Sequence, residues 1–495
     1  MNTAAQKLDS RVADQTGTYP ELKLLIAGAW TTSAETQPVV NPSTEAVIGC
    51  VPQASKEQIG KAIEAAQSGL LIWRSTAPAK RAQIILRAAQ IIRERTERIA
   101  HAISIEHGKP LAQARAEISR ACEFLEWDAN EGRRMYGRII PLDSGMRCSV
   151  VRQPVGIVAG FTPWNFPISI PARKVGGALA AGCALILKAS EETPAGALLL
   201  VEAFVDAGLP AGVLTLLFGR PAEISEQLIS HPSVRFITFT GSIPVGKHLS
   251  ELAGRYMKPV TMELGGHAPV IVCHDVEPKK VAAIALAGKL RNAGQVCVSP
   301  TRFFVHQDIY PSFAQEFTQL AERITIGDSL DPATQLGPLA NERRVEAIDS
   351  LVSDAVNRGG RLLCGGVRPN RPGFFYPLTA IGEVPDNAIA MQEEPFGPLA
   401  LLTPFSELDD AIRRANALPY GLAAYAFTSS ARQAGKISDE IECGNLAINH
   451  MTASTAETPF GGVKDSGLGR EGGVEGLETY TVVKNVSHRV QFDCR

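Results

Sequence analysis

The chain has 495 residues, 45% hydrophobic and 20% charged, with a net charge of −2. That length exceeds one ordinary domain and points to two or three. A near-neutral balance without a basic block argues against nucleic acid as the main partner. No apolar run is long enough for a membrane span; 176–187 comes nearest, and it is short and rich in Ala and Gly.

Residues 1–20 are polar, carry Asp9 and Asp14, and lack the apolar centre of a signal peptide. They read as a loosely docked tail. The nine cysteines are scattered, odd in number and form no CxxC pair, which fits a reduced, cytoplasmic compartment. Helices are expected over 56–70 and 78–135, where Ile84, Ile85, Ala88, Ile91 and Ile92 recur at helical spacing after Pro78.

From residue 150 the rhythm changes. Strand-like runs at 156–161, 184–188, 213–218, 235–240 and 259–264 alternate with helical ones near 168–181, 195–207, 221–230 and 243–255. This alternation predicts a parallel sheet with crossover helices. A second alternating series, with strands at 269–273, 302–306, 399–404, 423–427 and 445–449, predicts a second α/β domain. A last strand-like stretch, 478–490, follows the glycine-rich 461–476 and is placed to pair outside its own domain.

Ligands of open parallel sheets bind beyond the carboxyl ends of the strands. Here those ends are Thr162-Pro163-Trp164-Asn165, Lys188-Ala189-Ser190-Glu191, Phe218-Gly219 and Thr240-Gly241-Ser242. No GxGxxG fingerprint is present. Gly241 to Gly246 opens a helix after a strand, so it is either a tight turn or a phosphate-facing helix start. Lys188 and Glu191 are surface charges or a ribose-binding pair. Asn165 is a turn residue or an oxyanion donor. Glu394, in Glu393-Glu394-Pro395-Phe396-Gly397-Pro398, is a loop acid or a ligand contact. Cys297 ends the small, polar Asn292-Ala293-Gly294-Gln295-Val296, and Glu263 ends a strand before Gly265-Gly266. A thiol and a carboxylate on loops suggest a covalent nucleophile and a general base.

In this order, Thr162–Pro167, Lys188–Glu191, Phe239–Ser242, Glu263–Gly266, Gly294–Cys297, Glu394–Pro398 and Pro459–Gly462 resemble the motifs of the aldehyde dehydrogenase superfamily, over about 22–488. The resemblance implies an α/β fold with a Rossmann-type NAD-binding domain (1–135 and 154–264), an α/β catalytic domain (265–465) and a small β oligomerisation segment (136–153 and 478–495). It implies NAD as cofactor, with NADP possible, and a homodimer or homotetramer. Cys297 would attack the aldehyde carbon, Asn165 and the Cys297 N–H would hold the oxyanion, hydride would pass to the nicotinamide, and Glu263 would activate the water that cleaves the thioester. Lys188 and Glu191 would bind the adenosine ribose and Glu394 the nicotinamide ribose. Thr162, Pro163, Trp164, Ser190, Gly219, Thr240, Gly241, Ser242 and Phe396 would complete the cofactor cleft. Glu191 favours NAD, since it repels a 2′-phosphate.

Within the superfamily the chain is most similar to succinate-semialdehyde and α-ketoglutarate-semialdehyde dehydrogenases. Arg173 and Arg291 match the positions that bind the substrate carboxylate there, and Thr455 the position of a neighbouring hydroxyl. A guanidinium suits a carboxylate because it offers a planar fork of donors. Ser299 stands where some relatives carry a second cysteine, so no local disulfide switch is expected. The alternatives are a dehydrogenase of other aliphatic or aromatic aldehydes, a cysteine hydrolase with His267 or His274 as base, and a non-catalytic structural protein. The dispersed histidines suggest no metal site.

Overall fold

The computed structural model describes residues 19–143 and 145–489. Two sheets dominate it. The first runs, edge to edge, Gly467–Leu468, Val260–Glu263, Val234–Thr240, Ile157–Phe161, Ala184–Lys188, Leu214–Leu217, Leu24–Ile26 and Ala29–Thr31. Its five central strands are parallel. Ile157–Phe161 and Ala184–Lys188 are buried at every position, as expected where both faces of a parallel sheet are covered.

Strand order is what creates a cleft. From Ile157–Phe161 the chain steps outward through Ala184–Lys188 and Leu214–Leu217, then returns to Val234–Thr240 on the other side. The order reverses between Ile157–Phe161 and Val234–Thr240, the place where such sheets open a crevice. Register brings Phe161 level with Lys188 and Phe239, and Thr240 level with Glu263. The chemically interesting strand ends therefore share one edge.

The second sheet runs Arg361–Cys364, Thr379–Gly382, Leu399–Phe405, Pro300–His306, Ala268–Val272, Ala423–Phe427 and Asn445–Ile448, all parallel except the first. Each sheet has its own apolar core, one drawn mainly from residues 22–264 and the other from 268–447. A third, three-stranded antiparallel sheet joins Arg138–Pro141, Met146–Pro154 and Thr481–Arg489. Among the described residues, no helix is long and apolar enough to cross a membrane.

Several expectations need correction. The helix expected over 78–135 is three helices, Pro78–Glu94, Thr96–His107 and Leu111–Glu131. Gly108, at φ +87°, ends the second in the left-handed region, and Pro110 directly precedes the third. The last strand begins at Thr481, because Glu478 belongs to the helix Gly473–Thr479. Val490 and the tail 1–18 lie outside the described residues. The glycine-rich 461–476 is not a spacer: Gly467–Leu468 adds an antiparallel edge to the first sheet beside Met262 and Glu263.

Candidate active site

Cys297 follows helix Pro278–Leu290 and a short turn. Asn292 and Ala293 both adopt left-handed backbone, at φ +53° and +54°, and Gly294 follows at +72°. Non-glycine residues rarely hold that conformation without external support. Support comes from Gln113, whose Oε1 accepts from the Asn292 N–H at 2.7 Å, and from Asn292 Nδ2, which donates to the carbonyls of Asn165 and Gln295. Gly294 is required for space as well: a Cβ there would lie 2.1 Å from the Gly397 carbonyl.

Gly265 and Gly266 serve the same close packing. A Cβ on Gly265 would meet Glu394 Oε2 at 2.4 Å, and one on Gly266 would meet the Cys297 carbonyl at 2.7 Å. The Gly266 N–H donates to Glu394 Oε1 at 3.1 Å. Burial pushes the Glu394 carboxyl up to about 8. The glycines thus let the strand end carrying Glu263, the Glu394 loop and the Cys297 turn touch at backbone distance.

Glu263 is 3% exposed, and neither carboxylate oxygen has a hydrogen-bond partner. Burial, reinforced by nearby Glu471, holds its carboxyl well above the usual range. Burial, with Glu394 and Glu263, pushes the Cys297 thiol up to about 12, against the pull of Arg291. The Cys297 thiol is therefore held in its protonated form in the absence of ligand, and the Glu263 carboxyl is shifted in the same direction.

Asn165 packs against the Cys297 turn, its Nδ2 donating to the Gln295 carbonyl at 3.1 Å. Its own carbonyl accepts from Lys109 Nζ at 2.9 Å. Lys109 also donates to Glu117 at 2.5 Å, and the other oxygen of Glu117 accepts from the N–H groups of Ile168 and Ser169 at the start of helix Ser169–Ala181. A buried ion pair therefore clamps both ends of the segment bearing Asn165. Eight residues separate its partners, but the link to Asn165 is long-range and has no local sequence signal.

Cys297, Glu263, Arg173 and Arg291 line one cavity. Arg173 Nη2 donates to Ser454 Oγ at 2.6 Å, while Nη1 is buried without a partner. Its guanidinium lies 3.7 Å from the centre of the Phe124 ring, and that of Arg291 lies 5.3 Å from Phe166. Thr455 is not on this wall: its hydroxyl and N–H both meet Thr458 Oγ1, and Ser454, one residue earlier, supplies the hydroxyl at Arg173. Arg120 also faces the cavity and was not anticipated. Its signal was an arginine four residues before Phe124 on one helix, a spacing that shares a face.

At the sheet edge, Lys188 Nζ meets Glu191 at 2.7 Å, and Glu191 Oε1 accepts from the Gly219 N–H at 2.9 Å. Ser190 Oγ accepts from the Glu192 N–H. The hydroxyls of Thr162 and Thr240 are buried without partners. Ser242 caps helix Ile243–Arg255 without spending its side chain on the cap, and Gly241 precedes it. Trp164 and Phe396 meet edge to face at 5.5 Å beside Pro163. Orphaned hydroxyls, a fixed acid and a free helix start beyond a strand-order reversal fit a dinucleotide.

His267 and His274 are elsewhere. His267 is buried with Nε2 3.0 Å from the Ala390 carbonyl, and His274 packs on His306. Neither lines the Cys297 cavity, so a Cys–His hydrolase has no base there.

Comparison with known proteins agrees. The aldehyde dehydrogenase family model matches residues 30–486. The chain is 45% identical to 4-(hydroxymethyl)benzenesulfonate dehydrogenase of Comamonas testosteroni over 93% of this chain and 97% of that one. It is 40% identical to the NADP(+) succinate-semialdehyde dehydrogenase of Escherichia coli, over 93% and 96%. A solved succinate-semialdehyde dehydrogenase from Burkholderia pseudomallei superposes with a TM-score of 0.93 at 38% identity, covering 95% of this chain and 98% of that one. A betaine aldehyde dehydrogenase from Staphylococcus aureus, solved with NAD+, gives 0.93 at 30% identity, covering 96% and 95%. Aldehyde dehydrogenases use NAD(P), and this chain belongs to the aldehyde dehydrogenase family.

Proposed function

We propose that this enzyme oxidises a semialdehyde bearing an ω-carboxylate, such as succinate or α-ketoglutarate semialdehyde, to the corresponding acid. The observation that carries this is a single cavity lined by a half-buried thiol, an unpartnered carboxyl and two arginines, one with a free buried nitrogen. The Cys297 thiol loses its proton to solvent, its Sγ forms the bond to the aldehyde carbon, and the carbonyl oxygen takes the negative charge, which the Asn165 amide and the Cys297 N–H would hold. NAD(P), when bound, would supply the acceptor for the hydride that leaves the substrate carbon. Glu263 then removes a proton from water, which attacks the thioester carbon; the C–S bond breaks and the thiol is restored. Lys188 and Glu191 would hold the adenosine ribose and Glu394 the nicotinamide ribose. Trp164, Ser242 and Phe396 would line the cleft with Thr162, Pro163, Ser190, Gly219, Thr240 and Gly241.

On this reading the first sheet serves the cofactor and the second carries the nucleophile. The small sheet offers a surface to another copy of the chain: Ile139 is 73% exposed and Val483 61%.

Arg173→Ala and Arg291→Ala are each expected to lower kcat/KM for succinate semialdehyde about 10- to 100-fold, chiefly through KM, as befits a lost charged hydrogen bond. Activity on butanal should shift far less. Wild-type enzyme that treats the two aldehydes alike would refute the carboxylate assignment.

NAD is the preferred partner, because Glu191 opposes a 2′-phosphate. Lys188 already neutralises much of that charge, so Glu191→Gln should raise the NADP-to-NAD ratio of kcat/KM by only about tenfold. An unchanged ratio would remove Glu191 from the site.

A second reading is a sulfonated aromatic aldehyde. It is favoured by the 45% identity to a 4-(hydroxymethyl)benzenesulfonate dehydrogenase and by Phe124, Phe166 and Phe460 in the cavity wall.

A further inference from the structure

Arg120 has no role in the reaction described above, yet it faces the same cavity as Arg173, Arg291 and Cys297. It also lines a neighbouring cavity together with Arg291, Phe166 and Ser169. It therefore stands on the wall between the reaction chamber and an outer space.

The three guanidiniums come from three elements: helix Leu111–Glu131, helix Ser169–Ala181 and the turn before Cys297. Ser454 ties two of them together. Its carbonyl accepts from Arg120 Nη1 at 3.0 Å, and its hydroxyl meets Arg173 Nη2 at 2.6 Å. The acids nearby, Glu471, Asp128, Glu263 and Glu123, offset only part of this charge. Glu471 is engaged by Lys174 at 2.6 Å, and Asp128 is held towards its neutral form by burial, at about 8. Glu123 lies 3.6 Å from Arg120 but is half exposed, and such a contact is worth little. Burial chiefly disfavours the charged form of Arg173, Glu471, Asp128 and Glu263 favour it, and Arg120 adds a smaller repulsion. An anion between them would remove that repulsion.

A planar carboxylate is satisfied by one guanidinium fork. Three guanidiniums from three elements on one cavity wall, with a serine hydroxyl at one of them, suit an anion that offers three oxygens. Resting on what the two readings of this cavity share, an aldehyde with an anionic tail, we infer that Arg120 is a specificity-determining residue. With Arg173 and Arg291 it makes the far end of the chamber a sulfonate site, so that sulfonated aromatic aldehydes are taken in preference to carboxylated ones of the same shape.

The test compares 4-formylbenzenesulfonate, 4-formylbenzoate and benzaldehyde with full-length wild type, Arg120→Gln and Arg120→Lys. In wild type, kcat/KM should fall in that order. Arg120→Gln should lose about thirtyfold on the sulfonate, in KM rather than kcat, and only a few-fold on the other two. Arg120→Lys keeps the charge but not the fork, so its loss on the sulfonate should be about fivefold. If the Gln variant does not fold, the Lys variant makes the same comparison. A merely structural role would lower all three substrates together and would overturn the inference. So would a wild type that prefers the carboxylate, or a sulfonate-to-carboxylate ratio that does not move. If wild type favours both anions over benzaldehyde but Arg120 leaves their ratio fixed, this inference alone fails. If wild type treats all three alike, the anionic-substrate reading fails with it.

Discussion

Glu263→Gln is expected to stop turnover while sparing one round of acylation. The variant should release a burst of reduced cofactor close to one equivalent per site, then run about 10²- to 10⁴-fold slower than wild type in the steady state, the usual worth of a positioned general base. Stopped-flow absorbance reads both phases. A variant that loses the burst as well would mean that Glu263 is needed before the thioester forms. The pH dependence gives a second check. A base works when ionised, so deacylation falls as pH drops through its pKa. Burial and Glu471 raise that pKa, which places the acid limb above the ordinary carboxylate range. Glu263→Gln should abolish this limb. Acylation should show a different profile. The thiolate is the nucleophile, and the Cys297 thiol is pushed up to about 12 in the free enzyme. Its single-turnover rate should therefore keep rising through neutral pH, at about tenfold per unit unless bound cofactor lowers the thiol pKa. Isosteric Gln retains the shape of the side chain, so lost packing does not confuse the result.

Much of this site could be read before any coordinates. Cys297, Glu263, Asn165 and the Lys188–Glu191 pair each end a strand or follow a helix, and short motifs mark those ends. Parallel alternation also announces where such ends gather, because crossover helices bring every carboxyl terminus to one edge. What escaped the sequence depends on contacts between distant segments. Thr455 and Ser454 differ by one position in an irregular loop, where no periodicity says which side chain turns towards Arg173. Arg120 looks like any charge on a long amphipathic helix until helix Ser169–Ala181 packs beside it. The break at Gly108 was legible in principle, since Gly108-Lys109-Pro110 combines a helix stop with a residue that cannot continue one. Helical spacing on both sides concealed it. The three-residue strands Leu24–Ile26 and Ala29–Thr31 are too short for any alternation to show.

The break matters because of what it exposes. Lys109 is released from the helix there and reaches the Asn165 carbonyl, fixed by Glu117 and stacked 4.6 Å over the Phe166 ring. Lysine and glutamate are 3% and 5% exposed. Lys109→Met should therefore cost about 3–5 kcal/mol, because it strands a buried carboxylate rather than merely deleting an attraction. Urea midpoints measure this. Removing both charges, as Lys109→Met with Glu117→Gln, should recover most of the stability, since matched neutral partners are often tolerated where a lone ion is not. Activity should not recover in step. The Asn165 carbonyl has still lost one of its two donors and keeps only Asn292 Nδ2, so the oxyanion amide is less firmly held, and a shift of this kind lowers kcat more than it raises KM. A double variant as stable as wild type yet about tenfold slower in kcat would separate the two duties of the pair. If stability and kcat return together, the ion pair only supports the fold, and Asn165 is held by the Gln295 carbonyl and the Asn292 amide.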